Sequence, residues 1–298
     1  MTPAGSELRL KNMSKFYEKM HFLRFTFFVL LVSVVTSASL AYGDAQSDRG
    51  SAPLANEAQE FDEGEDITTI PQRIDFRYQF RALSDDKDRN TFITRIEKPF
   101  RLRDKWKLGV RLDFPVIYSG ETSRDNPDGE WRAGAGDVLI QGVLIREFDQ
   151  NNAFGFGSQL IVPTATEDQM GKGKVQLSPT IAWKTSMNRV CKGSLFIPLL
   201  RYAFDIGGSD RRSHISELQV NPIFHFPLPD GWSVRLWSSP DFKYDFRLNE
   251  WFIPADVAAS KKLTKRFGIA FQLAAPIYHG DDFKSYDWKA ETRFGFYY

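Results

Sequence analysis

The chain has 298 residues, 42% hydrophobic and 26% charged, with 39 Lys and Arg against 38 Asp and Glu. A net charge of +1 gives no electrostatic case for nucleic acid, one cysteine (Cys191) allows no internal disulfide framework, and four His leave little for a metal centre. No CxxC, HExxH or Gly-rich phosphate loop occurs, so no cofactor, metal ligand or catalytic set is expected.

The first element is an apolar run from Phe25 to Val35, too short to span a bilayer. Lys15, Lys19, His21 and Arg24 precede it, and small residues from Thr36 to Gly43 suit signal-peptidase cleavage after Ala41 or Gly43. Residues 1–43 read as a secretory signal, with Met13 and Met20 as alternative starts. The competing reading is a single membrane anchor, which the short core and small-residue tail disfavour. Residues 44–70 differ: Asp44, Asp48, Glu57, Glu60, Asp62, Glu63, Glu65 and Asp66 face only Arg49, among few large apolar residues. Such a stretch buries too little to order itself and is expected to be a flexible acidic lead.

From Pro71 to Tyr298 the pattern is period two. Arg73–Arg81 alternates Ile74, Phe76, Tyr78 and Phe80 against Arg73, Asp75, Arg77, Gln79 and Arg81. Further segments follow at Thr91–Phe100, Lys105–Tyr118, Asp137–Phe148, Ala153–Thr164, Lys174–Lys184, Ser194–Asp205, Glu217–Phe226, Trp232–Phe246, Trp251–Ala259 and Phe267–Tyr278, with the second and fourth of these eleven the weaker. The last, Tyr286–Tyr298, sets Trp288, Ala290, Thr292, Phe294, Phe296 and Tyr298 on one face and Asp287, Lys289, Glu291 and Arg293 on the other. A strand greasy on one face and wet on the other, ending on an aromatic residue, resembles the final strand of bacterial outer-membrane barrels, through which barrel-assembly machinery would recognise the chain.

About twelve segments of roughly ten residues predict an all-β fold, a transmembrane antiparallel up-and-down β-barrel. Short connections alternate with longer ones, except at Arg247–Glu250, which places both termini in the periplasm. Outward aromatics then form two girdles at the lipid interfaces: Trp106, Phe154, Trp183, Phe226, Trp232, Phe267 and Phe296 on the short-turn side, and Tyr118, Tyr202, Tyr244, Trp251, Tyr286 and Trp288 on the other. Outward Lys98 and Arg146 are awkward unless they sit near a membrane edge and snorkel. A soluble β-sandwich is the alternative, but its core would not need aromatics sorted to strand ends.

Closure requires the first and last strands to pair. Opposite charges favour a register placing Asp75 against Arg293, Arg77 against Glu291 and Arg81 against Asp287, each pair contributing roughly 0.2–1 kcal/mol. The alternative is that lumen charges are simply hydrated and their order accidental.

Two stretches carry a family resemblance: Gly134-Ala135-Gly136-Asp137 before an alternating segment, and Val162-Pro163-Thr164 followed by Gly171, Gly173 and Ser178-Pro179. They resemble the bacterial outer-membrane family named for the meta-pathway of phenol degradation, often labelled as transporters. There the first marks entry to a down-strand and the second a strand, an extracellular loop and the next strand. Ala165-Thr166 stands where Gly-Asp is expected, so this loop should turn differently. The resemblance covers most of the mature chain through structural punctuation. It implies an outer-membrane barrel that handles small, including aromatic, compounds, and implies no catalytic residue.

Candidate lumen-lining residues by parity are Arg77, Arg111, Asp113, Asp137, Gln141, Gln159, Gln176, Arg201, Asp205, Glu217, Asn221, Arg235, Asp241, Lys243, Asp256, Gln272, Lys289 and Glu291. This mixed-sign lining suits small polar or zwitterionic solutes. The loop Ser119–Gly136 or the acidic lead could constrict the passage, the lead then acting as a plug. Two alternatives stand beside a channel. One is a non-conducting structural or binding barrel. The other is a lipid hydrolase built on His214 and Ser216, which would need His within reach of Ser and a third group to orient it.

Overall fold

Alternation across the pleat turns period-two segments into strands with opposed wet and greasy faces. The computed structural model of the protein describes residues 66–83 and 87–298, in which fourteen strands run antiparallel. They are β1 (Arg73–Ala82), β2 (Asp88–Arg101), β3 (Trp106–Ser119), β4 (Arg132–Ala135), β5 (Val138–Glu147), β6 (Ala153–Val162), β7 (Lys174–Ser186), β8 (Leu195–Gly208), β9 (Ser216–Pro227), β10 (Trp232–Leu236), β11 (Lys243–Asp245), β12 (Glu250–Lys262), β13 (Phe267–His279) and β14 (Trp288–Tyr297). β4 and β5 both pair with β3, and β10 and β11 both pair with β9 and β12, so each couple forms one stave. β1 pairs with β14, closing a twelve-stave cylinder. The two weaker segments are present as β2 and β5.

Burial is inverted relative to a soluble core. Phe76, Phe92, Phe114, Ile181, Leu200, Phe271 and Phe294 are exposed outside, while Arg73, Asp75, Arg77, Arg95, Arg201 and Gln272 are buried inside. Trp183, Trp232 and Phe296 are exposed at the short-turn end, and Tyr118, Tyr202 and Trp288 at the other. Tyr286 departs from its expected girdle: only 1% exposed, it packs edge-on against inward Phe252. Its loop folds back over the lumen, so β14 starts at Trp288.

Lys98 and Arg146 do face outward, near the short-turn end, and each lies on aromatic rings. Lys98 Nζ is 5.5 Å from the Phe100 ring, and the Arg146 guanidinium is 5.5 Å from Trp106 and 5.7 Å from Phe148. The rings hold the cations at the membrane edge without isolating them in hydrocarbon. At the tip of the Phe148–Asn152 turn the Asp149 carboxylate accepts the N–H groups of Asn151 and Asn152 at 2.8 and 2.9 Å. The Asn152 side-chain amide, then the backbone N–H of Asn151, hold its pKa below the ordinary value.

The closure register differs from the charge-based expectation by two residues. Arg77 stands opposite Arg293, Gln79 opposite Glu291, Arg81 opposite Lys289 and Asp75 opposite Gly295. Asp75–Arg293 and Arg81–Asp287 are therefore not cross-strand pairs, and Asp287 instead pairs with Lys284 just before β14. Arg77 and Glu291 do meet, but diagonally, at 3.6 Å. The charge argument considered only residues directly opposite, whereas an arginine reaches a diagonal neighbour. Arg77 turns to Asp75 at 2.9 Å and Arg293 to Glu291, which relieves the facing guanidinium pair. The charge-based register would also have drawn Tyr286 into the ladder and away from Phe252.

In a Cys191→Ser background, cysteines at Phe76 and Phe294 should cross-link, because directly opposite Cβ atoms lie about 4.5–5.5 Å apart. Cysteines at Asp75 and Arg293, offset by two residues, should not. Non-reducing gels of the protein in detergent micelles check both, and the reverse pattern would restore the charge-based register.

Candidate functional site

The lumen is a set of connected polar side chains interrupted by buried apolar clusters. On β1, β2, β3 and β14 guanidinium and carboxylate groups alternate. Arg73 bonds Glu97 at 2.8 Å and Asp75 at 3.1 Å, and Arg95 bonds Asp113 at 2.8 Å. Arg111 reaches the same Asp113 at 2.6 Å, and Gln79 donates to Glu291 at 2.7 Å. Arg293 continues the chain to Gln272 on β13 at 2.6 Å, and Gln272 donates in turn to Asp256 on β12. Removing charges from water is costly unless each finds partners, and this ladder supplies them. Arg73 follows the parity already read for Arg73–Arg81, whereas Arg95 and Glu97 were not among the expected lining residues. The parity of the weak segment Thr91–Phe100 would have found the last two.

Around the remaining wall, Gln159 donates to Gln141 at 2.6 Å, Arg201 to Thr180 at 3.0 Å and Gln219 at 3.1 Å, and Arg235 to His225 at 3.1 Å. Glu217 accepts Lys172 at 2.9 Å and faces Lys243 at 3.7 Å, tying a loop to two staves at the long-loop end. Most expected lining residues therefore face the interior. Pairing runs from Val116–Ala135 in β4 to Asp113–Leu139 in β5, a one-residue shift that forms a bulge at Gly136-Asp137. There Asp137 accepts the backbone N–H groups of Ala165 and Lys172 at 3.1 and 2.8 Å.

That clasp joins the two stretches that carry the family resemblance. Thr164 Oγ1 accepts from Val138 N and donates to Gly136 O, both at 3.0 Å, and a Cβ at Gly171 would lie 2.4 Å from the Asp137 carboxylate. The loop so held carries Met170, which is buried, and Gln169, whose carbonyl accepts from Arg89.

The short-turn half of the lumen was read as wet and is partly apolar. Val143 and Ile145 on β5, Ala182 on β7 and Leu199 on β8 form an inward cluster with Ile67 and Ile70. The last residues of the acidic lead are thus packed inside the barrel, which corrects the flexible boundary at residue 70; residues 44–65 lie outside those described, as does the signal expected at 1–43. Asp66 caps its own turn by accepting Thr68 N at 2.8 Å, Lys184 donates to Thr69 at 2.7 Å, and Gly109 leaves room for Ile70, whose Cδ1 a Cβ would approach to 2.2 Å. Burying two Ile side chains contributes about 3–6 kcal/mol and the two hydrogen bonds about 1 kcal/mol each. Ordering five residues costs about 5–10 kcal/mol. The two sides nearly cancel, so the segment is held without being locked. Alternation had lapsed in the sequence at Leu195–Leu200 (LFIPLL), the mark of a strand apolar on both faces.

The stave of β10 and β11 is interrupted at residues 237–242. Ser238, Ser239 and Asp241 there are buried in the lumen. Ser238 N donates to Asp256 at 3.2 Å, Asn221 donates to Ser239 O, and Lys289 pairs with Asp241. Sequence parity missed the break, although Ser238-Ser239-Pro240-Asp241 is turn chemistry inside a strand pattern.

His214 and Ser216 are not assembled into a dyad. His214, 83% exposed, bonds Asp205 through Nδ1 at 2.9 Å, whereas Ser216 Oγ bonds outward Tyr202 Oη at 2.9 Å.

Replacing Asp137 by alanine should remove the hydrogen bonds to Ala165 N and Lys172 N, at about 0.5–1.5 kcal/mol for each. Limited trypsin digestion should then cut after Lys172 faster than in the parent. Equal rates would show that Asp137 does not hold the loop.

No family model matches the sequence, and no curated protein matches it. Among solved structures, an outer membrane channel from Pseudomonas putida F1 superposes with a TM-score of 0.59 at 15% identity, over 80% of this chain and 99% of that one. Looser likenesses are the KdgM porin (TM-score 0.45, 9% identity, 76% and 99% coverage) and outer membrane phospholipase A from Escherichia coli (0.42, 12%, 80% and 93%). The chain has the fold of an outer-membrane β-barrel.

Proposed function

We propose that the protein is a narrow channel of the bacterial outer membrane that passes small solutes, zwitterionic or aromatic ones included. The observation that carries this reading is an apolar outer belt around a lumen lined by both signs of charge and by apolar clusters. A purely structural barrel needs the belt but gains nothing from desolvating so many charges. Balanced signs argue against strong anion or cation selectivity. Apolar clusters in a lumen with an Arg and carboxylate ladder suit a solute with a ring or chain and a charged end. Likeness in fold to the P. putida channel supports the reading at the level of architecture.

Short turns at one end and longer loops at the other support a periplasmic location for both termini, with outer-membrane lipid around the belt. Asp66–Ile70 occupies the short-turn half of the lumen and is the plug in this account. Its near-balanced attachment suits a segment that gives way to a solute. Membership of the phenol meta-pathway family, and recognition of β14 by barrel-assembly machinery, belong to the same reading. The first is supported by the meeting of Asp137 with the Val162–Gly173 loop. A hydrolase reading has no such support, because His214 and Ser216 bond away from each other.

Reconstituted in liposomes, the mature chain should admit small zwitterions slowly. Removing residues 44–70, or introducing Ile67→Asp with Ile70→Asp, should speed swelling, since each buried Ile contributes about 1.5–3 kcal/mol to holding the plug. Neither conductance nor uptake in any of these forms would defeat the channel reading.

A further inference from the structure

The stave made of β10 and β11 carries more residues than its place in the wall requires. Leu236 pairs with Val257 and Phe224, and Lys243 with Phe252 and Gln219. Residues 237–242 therefore stand opposite only 253–256 on β12 and 220–223 on β9. The surplus is two residues, which keeps the parity on either side and hides the insertion from period-two reading.

The surplus bends into the lumen. Asp241 pairs with Lys289 on β14, three staves away, and accepts from Tyr286 Oη at 3.2 Å. At about 4.8 Å per strand, that reach is on the order of 14 Å along the wall, so the bend must cross the interior. On the lipid side Trp237 seals the gap, donating its indole N–H to Pro254 O at 3.0 Å. Wall closure does not need this arrangement, and Trp237 adopts a left-handed φ of 52°, unfavourable for a bulky side chain. Pro222 and Pro254 in the flanking staves offer no N–H to the missing ladder, so the neighbours are adapted to the break.

We propose that this inward bend is the selectivity constriction of the channel, with Asp241 and Lys289 as the residues that set which charge passes most readily. The proposal rests on the channel reading and adds a location to it. A carboxylate on the bend and an ammonium on β14 balance each other inside the lumen, and Arg81 adds a second positive charge near Asp241. Losing either partner leaves the other to attract its counter-ion and repel the like ion.

The test is planar-bilayer recording of the full mature chain carrying Ile67→Asp and Ile70→Asp, across a salt gradient, with folding checked by heat-modifiable gel migration. Asp241→Asn should move the reversal potential toward anion preference and Lys289→Met toward cation preference. Excising Ser239 and Pro240, which restores four residues opposite four, should raise the single-channel conductance. If the charge variants fold and keep the parental reversal potential, the assignment is wrong even where the excised form misfolds. If the plug-released parent conducts and excision changes nothing, the bend is not the constriction. If no form conducts, the excised one included, the channel reading falls together with it.

Discussion

Every backbone N–H and C=O inside a bilayer must find a partner within the protein, because hydrocarbon offers none. An open sheet would leave two edges unpaired, so the whole arrangement depends on β1 meeting β14. That junction is made by ten residue pairs running from Arg73–Tyr297 to Ala82–Trp288. Its inner face is charged: Glu291 pairs with both Arg77 and Arg293, and Asp75 with both Arg73 and Arg77. Shared carboxylates turn a facing like-charge pair into a ladder, and the ladder fastens the last strand to the first.

Closure at twelve staves sets the interior problem. Cylinders of about eight strands are filled by side chains and those of sixteen to eighteen keep an aqueous bore, so this one lies between. The protein fills the difference in three ways. Charged residues extend and pair across the staves. The Ser238–Asp241 bend turns inward to meet Tyr286, and Asp66–Ile70 packs in the short-turn half against Val143, Ile145, Ala182 and Leu199. Each filler is held by a modest number of bonds, which in the proposed channel would let a full lumen give way to a solute.

Much of this was legible in the residues. Period two located all twelve staves, and the clean alternation at Arg73–Arg81 and Trp288–Tyr298 identified the strands that close the cylinder. The orientation of Lys98 and Arg146 followed from the same parity. The failures have physical causes. Parity survives a two-residue insertion, so the Ser238–Asp241 bend was invisible to it. Counting only directly opposite charges ignored the reach of an arginine and misplaced the seam by two residues. The lead was judged by its acidic composition. Its final Ile67 and Ile70 anchor it, and their apolar partners lie on strands more than seventy residues away in sequence.

The central claim is that the described chain is a cylinder whose outside meets lipid and whose inside does not. Single nitroxide labels at successive positions 74 to 80 of β1, in lipid vesicles, test it most directly through collision with lipid-soluble oxygen. The account predicts strong collision at Ile74, Phe76, Tyr78 and Phe80, alternating with protection at Asp75, Arg77 and Gln79. Uniform accessibility along the strand, or protection of the aromatic positions, would contradict it.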